Sequence, residues 1–450
     1  MRTLFKATGL MLLAAGLAMA GCAKKSIEKS ITDPALAAQL KAFATEKESQ
    51  AQSLASTDGK ELPPEFAKFF SAVENGNWEK TTNEYAEMKK RMSSDSAIYG
   101  SWWQPVLEVF GSMEQFTLGD EKYAAAYGND IIQSLPPGSI YLGGTDPGRF
   151  IVTALEKSQM NGDPFFGLSQ NPLTDTNYLD YLRSMYRDKI YIPTAADSLK
   201  CYDDYYWDYQ KRHAAHQLLP GEDVTNGPDG KMHANSYMSL IQIRSSLAKM
   251  IFEQNTDREF YVEESFPLEW MYPYLEPHGL IFKLYHQPLS GLSDDTIRQD
   301  HDYWTKIITP MIGDWLADDT SVTNIAAFAE KVYLHHDFIG FTGDPAFVEN
   351  ALSQRMFSKE RSSIAGLYAW RAQHETDVAT RQRMDAAADF AFRQAWALCP
   401  DSPEAVFQYV QFLMQTNRTE DALIVARTCF SLDPANGSVS DLINNLEHSK

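Results

Sequence analysis

Cysteine is scarce in this chain, with four in 450 residues, and only Cys201, Cys399 and Cys429 lie beyond the first 22 positions. Three thiols in so long a chain exclude a disulfide framework. A single Cys399–Cys429 bridge and a set of buried free thiols both remain open. Positive charge is also short: 40 Lys and Arg stand against 60 Asp and Glu, a formal charge of −20. An acidic surface repels nucleic acid and anionic head groups, so neither is expected as a partner. After the first 21 residues no apolar run approaches the roughly 20 residues needed to span a bilayer. Phosphate-binding glycine loops are missing, and so is a Gly-x-Ser-x-Gly nucleophile turn. His213 with His216, and His335 with His336, have no third ligand at metal spacing. No metal or other cofactor is expected.

What is present begins with an export signal. Arg2 and Lys6 give a positive start, Gly9 to Met19 form an uncharged apolar run, and small residues lead to Cys22. Leu17-Ala18-Met19-Ala20-Gly21-Cys22 resembles the lipobox of bacterial lipoproteins, with Met19 where Leu is usual. The resemblance implies cleavage before Cys22, acylation of that residue and stable membrane anchoring by more than one acyl chain. Ala23, in place of Asp, resembles the class directed to the outer membrane and facing the periplasm. Loss of Arg2 and Lys6 takes the mature chain to about −22.

Residues 22–64 read as a lipidated tether, helical in part around Ala35 to Ser49. A helical hairpin block over 65–120 follows, with helices at Phe66 to Val73 and Trp78 to Met92 around the turn Asn75-Gly76-Asn77. Across 121–292 short apolar strands alternate with helical runs: Ser139 to Gly143, Pro164 to Ser169, Glu259 to Glu263 and Leu280 to Leu284. That alternation predicts an α/β, Rossmann-like domain with a small, largely parallel sheet and flanking helices. A helical connector is expected over 293–359 and helical repeats over 360–450, so the fold class is α/β plus all-α.

The repeats rest on a 34-residue period. Ala388 aligns with Ala422, Trp396 with Phe430, and Pro400 with Pro434. This is the tetratricopeptide spacing, with Pro as the stop after the second helix of each pair. Trp396 and Phe430 are expected to fill the groove between hairpins, and Cys399 and Cys429 fall in the same region.

Residues 123–290 resemble the soluble C-terminal region of a family of polytopic bacterial membrane proteins of unknown function, related to protein O-mannosyltransferases. The resemblance is carried by Tyr123-Ala124, Asn129, Leu135-Pro136-Pro137, Ile140 to Asp146, Ser169-Gln170-Asn171 and Thr174 to Leu179. Arg258 to Val262, Tyr274-Leu275 and Gly279 to Leu284 complete it. It implies a fold, an envelope location and an association with glycan chemistry. The transfer chemistry of that family belongs to a multi-helix membrane part that has no counterpart in this sequence, so no catalytic residue carries over.

In a doubly wound sheet, ligands sit beyond the carboxyl ends of the strands. Those positions hold Asp146 and Arg149, then Asn171 and Asp175, then Glu263. Together they form a candidate site for a polar small ligand such as a sugar, with no catalytic assignment. Asp146 and Asp175 also read as N-caps of the helices that follow, and Glu263 with Asp146 would act as acid and base only in opposed environments. The aromatic clusters Tyr202 to Tyr209 and Trp270 to Tyr274 suit packing better than carbohydrate stacking.

The expectation is a lipid-anchored envelope protein, a binding or scaffolding factor more than an enzyme, with a protein partner on its C-terminal helices. Its rival is ligand binding or glycan modification in the α/β crevice. Replacing Cys22 by Ser should move the protein from the membrane fraction to the soluble fraction. Mass spectrometry of the wild-type N-terminus should find an acylated Cys22, and an unmodified thiol there would reject the anchor.

Overall fold

The computed structural model describes residues 31–94, 100–157, 162–222, 224–226, 232–234 and 237–448. The expected signal segment and Cys22 lie outside the described residues. The protein is mainly helical with a small mixed sheet. It forms two compact units, each drawn from two stretches: the chain up to Met113 with Lys157–Arg258, and Glu114–Glu156 with Glu259 onward. The stretch 121–292 therefore contributes to both units.

In chain order the elements begin with helices α1 (Pro34–Thr57), α2 (Pro64–Glu74), α3 (Trp78–Ser94), α4 (Trp103–Leu118) and α5 (Glu121–Ser134). Strand β1 (Ile140–Gly143), α6 (Asp146–Leu155), β2 (Phe166–Ser169), α7 (Thr176–Tyr186) and α8 (Ala195–Ala214) follow. Then come β3 (Val224–Asn226), β4 (Met232–Ala234), α9 (Tyr237–Gln254), β5 (Phe260–Glu263), β6 (Leu275–His278) and β7 (Ile281–Leu284). The remainder comprises α10 (Asp294–Ile312), α11 (Val322–Phe328), a π-helical turn (Ala329–Leu334), α12 (Pro345–Val348) and α13 (Ala351–His374). It closes with α14 (Val378–Leu398), α15 (Pro403–Gln415), α16 (Thr419–Leu432) and α17 (Gly437–His448). No described helix is long and apolar enough to cross a membrane.

In the first unit, α1 is packed where composition predicted a tether. Asp33 caps it, and Leu36, Leu40, Ala44, Ala51, Leu54 and Ala55 line its buried face. Alanines at helical spacing make that stripe faint in sequence. Lys47, on the same face, is 1% exposed and pairs with the equally enclosed Glu108 at 2.5 Å. Tyr181 of α7 donates to Glu108 at 2.7 Å and accepts from Lys47 at 2.8 Å. The Gly/Asp-rich stretch after α8 carries the antiparallel pair β3–β4, with Val224 opposite Ala234.

In the second unit the sheet is mixed, which corrects the largely parallel expectation. Strand β1 runs parallel to β5, with Ile140 opposite Phe260 and Gly143 opposite Glu263. β7 is antiparallel to both β5 and β6. The reason is local: β6, missing from the sequence reading, turns into β7 through only Gly279 and Leu280, and Gly279 supplies the positive φ of +65° that so short a hairpin requires.

Helix α13 crosses the centre of this unit without an apolar stripe, and its polar run Ser358 to Ser363, apart from the half-buried Lys359, is buried. Several of these groups are paired, although Ser362 Oγ and one Glu360 oxygen are not. Arg361 donates to Asp300 of α10 at 2.7 Å and to Gln394 of α14 at 2.8 Å, while Tyr368 donates to Asp300 at 2.8 Å. The guanidinium also lies 5.2 Å from the centre of the buried Trp304 ring. Helices α13 and α14 form one hairpin and α15 and α16 a second. α13 and α15 lie side by side: Lys359 pairs with Glu404 at 3.0 Å and Gln373 with Gln415 at 2.8 Å. Between them, a Cβ on Gly366 would sit 3.1 Å from Gln408 Oε1. Ala388, Ala422 and Trp396 are fully buried, whereas Phe430 is only half-buried. Cys201, Cys399 and Cys429 are free and buried, so the bridge left open in sequence does not form. Burial holds the Cys429 thiol up at about 12.

Changing Arg361 to Leu would remove the ion-pair partner of the buried Asp300 and leave it only the Tyr368 hydroxyl. Chemical denaturation should show a loss of about 3–5 kcal/mol, and a change below about 1 kcal/mol would reject the buried cluster as a determinant of stability.

Candidate functional site

The turn from β1 into α6, Gly143-Gly144-Thr145-Asp146-Pro147-Gly148, is built like an anion cradle. Pro147 suits the first helical turn, where a missing N–H costs nothing. Thr145 is the N-cap and accepts from the Gly148 N–H at 3.2 Å. The N–H groups of Gly144 and Thr145 point toward the carboxyl end of β5, and the anion they hold belongs to the protein itself. Glu263 Oε2 accepts from Gly144 N at 2.9 Å and from Thr145 N at 3.0 Å. Its Oε1 accepts from the Thr145 hydroxyl and, at 3.3 Å, from Tyr127 of α5. Parallel pairing of β1 with β5 sets this up, because Glu263 is the register partner of Gly143. Helix N-termini and successive backbone N–H groups favour negative charge. Here that preference is met by a residue 0% exposed.

Close approach explains the glycines. A Cβ on Gly148 would lie 1.8 Å from Glu263 Oε2, and one on Gly144 would lie 2.0 Å from Glu264 Oε2. Tyr141 spans the turn from within the strand, its hydroxyl donating to the Gly148 carbonyl at 3.0 Å.

A second carboxyl completes the cluster. Glu360 of α13 is 1% exposed, accepts from the Tyr127 hydroxyl at 3.2 Å and lies within hydrogen-bonding reach of Glu263. Burial first, and the neighbouring Glu263 second, push its carboxyl well above the usual range. Burial likewise pushes the Tyr127 and Tyr141 phenols well up, with Glu263 and Glu360 adding to it, so both remain neutral donors. The cluster therefore offers hydrogen bonding and proton storage in a closed interior.

The other predicted site residues are placed differently. Asp146 is exposed in the first turn of α6, and Thr145 takes the capping role expected of it. Arg149 is half-buried with its guanidinium 4.7 Å from the centre of the Phe150 ring. Asn171 and Asp175 belong to the first unit. There Asn171 accepts from Arg244, and Asp175 caps α7 by accepting from Asn177 N at 3.0 Å. Among the described residues, no group of three or more His, Cys, Asp or Glu is placed to hold a metal ion.

Sequence reasoning found Glu263 and missed Thr145, Tyr127 and Glu360. Glu360 sits in Ser358-Lys359-Glu360-Arg361-Ser362-Ser363, which reads as a solvated helix face. The usable signal was the glycine at both Gly144 and Gly148, which marks a place where another group comes close to the backbone. Compared with family models, curated proteins and solved structures, the chain shows no match.

Changing Gly148 to Ala should force Glu263 out of its cradle and cost about 1–3 kcal/mol, the usual range for overpacking a core. Thermal and denaturant unfolding check this, and an unchanged midpoint would reject the close approach.

Proposed function

We propose that this chain is a membrane-anchored envelope lipoprotein that acts as a protein-binding or scaffolding factor through tetratricopeptide-like hairpins at its C-terminus. The observation that carries the reading is the side-by-side packing of α13 and α15, the first helices of successive hairpins, held by Lys359–Glu404 and Gln373–Gln415. Stacked hairpins of this kind present extended surfaces that take peptide segments or helices.

The first hairpin is committed inside its own unit. Glu360 meets Tyr127, Ser363 donates to the Glu264 carbonyl at 2.5 Å, and Arg371 donates to the carbonyls of Pro273 at 2.9 Å and Leu289 at 3.0 Å. Helix α14 is tied to the preceding loop by Arg393, which donates to the carbonyls of Asp318 at 2.8 Å and Thr320 at 2.7 Å. The surface left for a partner centres on α15, where Phe407, Gln411 and Met414 follow one another at helical spacing. Phe407 and Met414 are half-buried and Gln411 is exposed. An apolar stripe with a central amide suits an amphipathic segment that lays one apolar side chain beside Phe407.

The rival reading, a sugar or other polar ligand in the α/β crevice, has less support. The two backbone N–H groups that would greet an anionic or polar ligand after β1 are taken by Glu263. The signal and lipobox pattern supports an outer-membrane, periplasm-facing location, and the resemblance to the mannosyltransferase-related family supports an envelope setting.

A photo-reactive side chain at Gln411 of the full anchored protein should give a discrete cross-linked adduct in intact cells, and the same group at Glu420, exposed on α16, should not. Equal labelling at the two positions, or none at Gln411, would reject the α15 surface.

A further inference from the structure

Counting donors around the two buried carboxyls gives a definite proton inventory. Glu263 receives the Gly144 and Thr145 N–H groups and the Thr145 hydroxyl, which is enough to hold a carboxylate. Glu360 has only the Tyr127 hydroxyl, a single O–H that stands 3.2 Å from Glu360 and 3.3 Å from Glu263 and can serve one of them at a time. The second oxygen of Glu360 is buried and meets no donor. An ionised carboxyl in that position would leave charge unsolvated in a dry interior, whereas a neutral acid both removes the charge and donates to Glu263.

Among the described residues, the groups that face the pair are mostly acids and phenols, and Lys359 is the cation whose charge reaches Glu360. Tyr127 comes from α5, Tyr141 from β1, Glu263 and Glu264 from the end of β5, and Glu156 from beyond α6. Lys359, next to Glu360 on α13, is directed to Glu404 of α15 at 3.0 Å.

We infer that Glu263 and Glu360 hold one proton between them, and that this proton lets α13 pack against the carboxyl end of β5. Its loss places two like charges side by side and releases the helix from the β1–α6 turn. The arrangement is a pH-sensitive latch, closed while the shared proton is held and opened as rising pH removes it. The sign follows from burial, which raises the folded-state affinity of Glu360 for its proton. Between the ordinary carboxylate range and the folded value, the folded protein binds more protons than the unfolded chain, so stability falls as pH rises through that window. Below the window the contribution is fully present.

Infrared spectroscopy of the full chain at about pH 8, where ordinary carboxyls are ionised, should show the C=O stretch of a protonated carboxylic acid. That band should vanish in Glu360→Gln, which keeps a donor toward Glu263 but cannot ionise. Hydrogen exchange of α13 amides should accelerate at the pH where the wild-type band disappears, and the acceleration should be absent from the variant. A wild-type spectrum without the band overturns the inference, as does a band that survives in Glu360→Gln. If the variant does not fold, the wild-type protein still decides, because loss of the band and exposure of α13 must coincide on its own pH titration.

Discussion

The carboxylate of Glu263, drawn into the N-terminal turn of α6, is the constraint around which the second unit is arranged. An anion at that point accepts from the Thr145 N–H, from the Thr145 hydroxyl and from the Gly144 N–H, which it shares with the Glu263 backbone carbonyl at 2.7 Å. Removing any of them would leave a polar group stranded in the interior, which costs more than the bond itself contributes. The demand propagates outward. Glycine becomes obligatory at Gly148, Tyr127 turns its hydroxyl inward, and Glu360 of α13 meets that hydroxyl.

A doubly wound arrangement normally leaves the helix N-terminus beyond a strand free to meet an external ligand. In this protein the same electrostatics serve the fold. The Gly144 and Thr145 N–H groups at the end of β1 are engaged by Glu263 from within the second unit. On the helical hairpins, the outer stripe on α15 remains only partly covered.

Buried polar groups recur in both units. The pair Lys47–Glu108 with Tyr181 joins helices in the first, and Asp300–Arg361 with Tyr368 and Gln394 joins three helices in the second. Such groups contribute little net stability compared with apolar packing of equal volume. They penalise any register that leaves one member unpaired, which suits a long helical chain with few cysteines and many alternative ways to stack helices.

Local pattern carried the elements whose neighbours are near in sequence. Helices α2, α3, α7, α9 and the C-terminal pairs, and strands β1, β5 and β7, are legible because periodicity, turn residues and proline stops act within a few residues. Tertiary structure decided the rest. That β1 lies parallel beside β5 depends on contacts across more than a hundred residues, from Ile140 to Phe260. Helix α1 hides its packed face behind alanines, and α13 hides its burial behind charge, because a polar residue is paired or solvated according to what lies opposite it. Glu263 shows both sides: its position at a strand end was readable, but its role as the anion bound by its own fold existed only once the Gly144 and Thr145 amides were set against it.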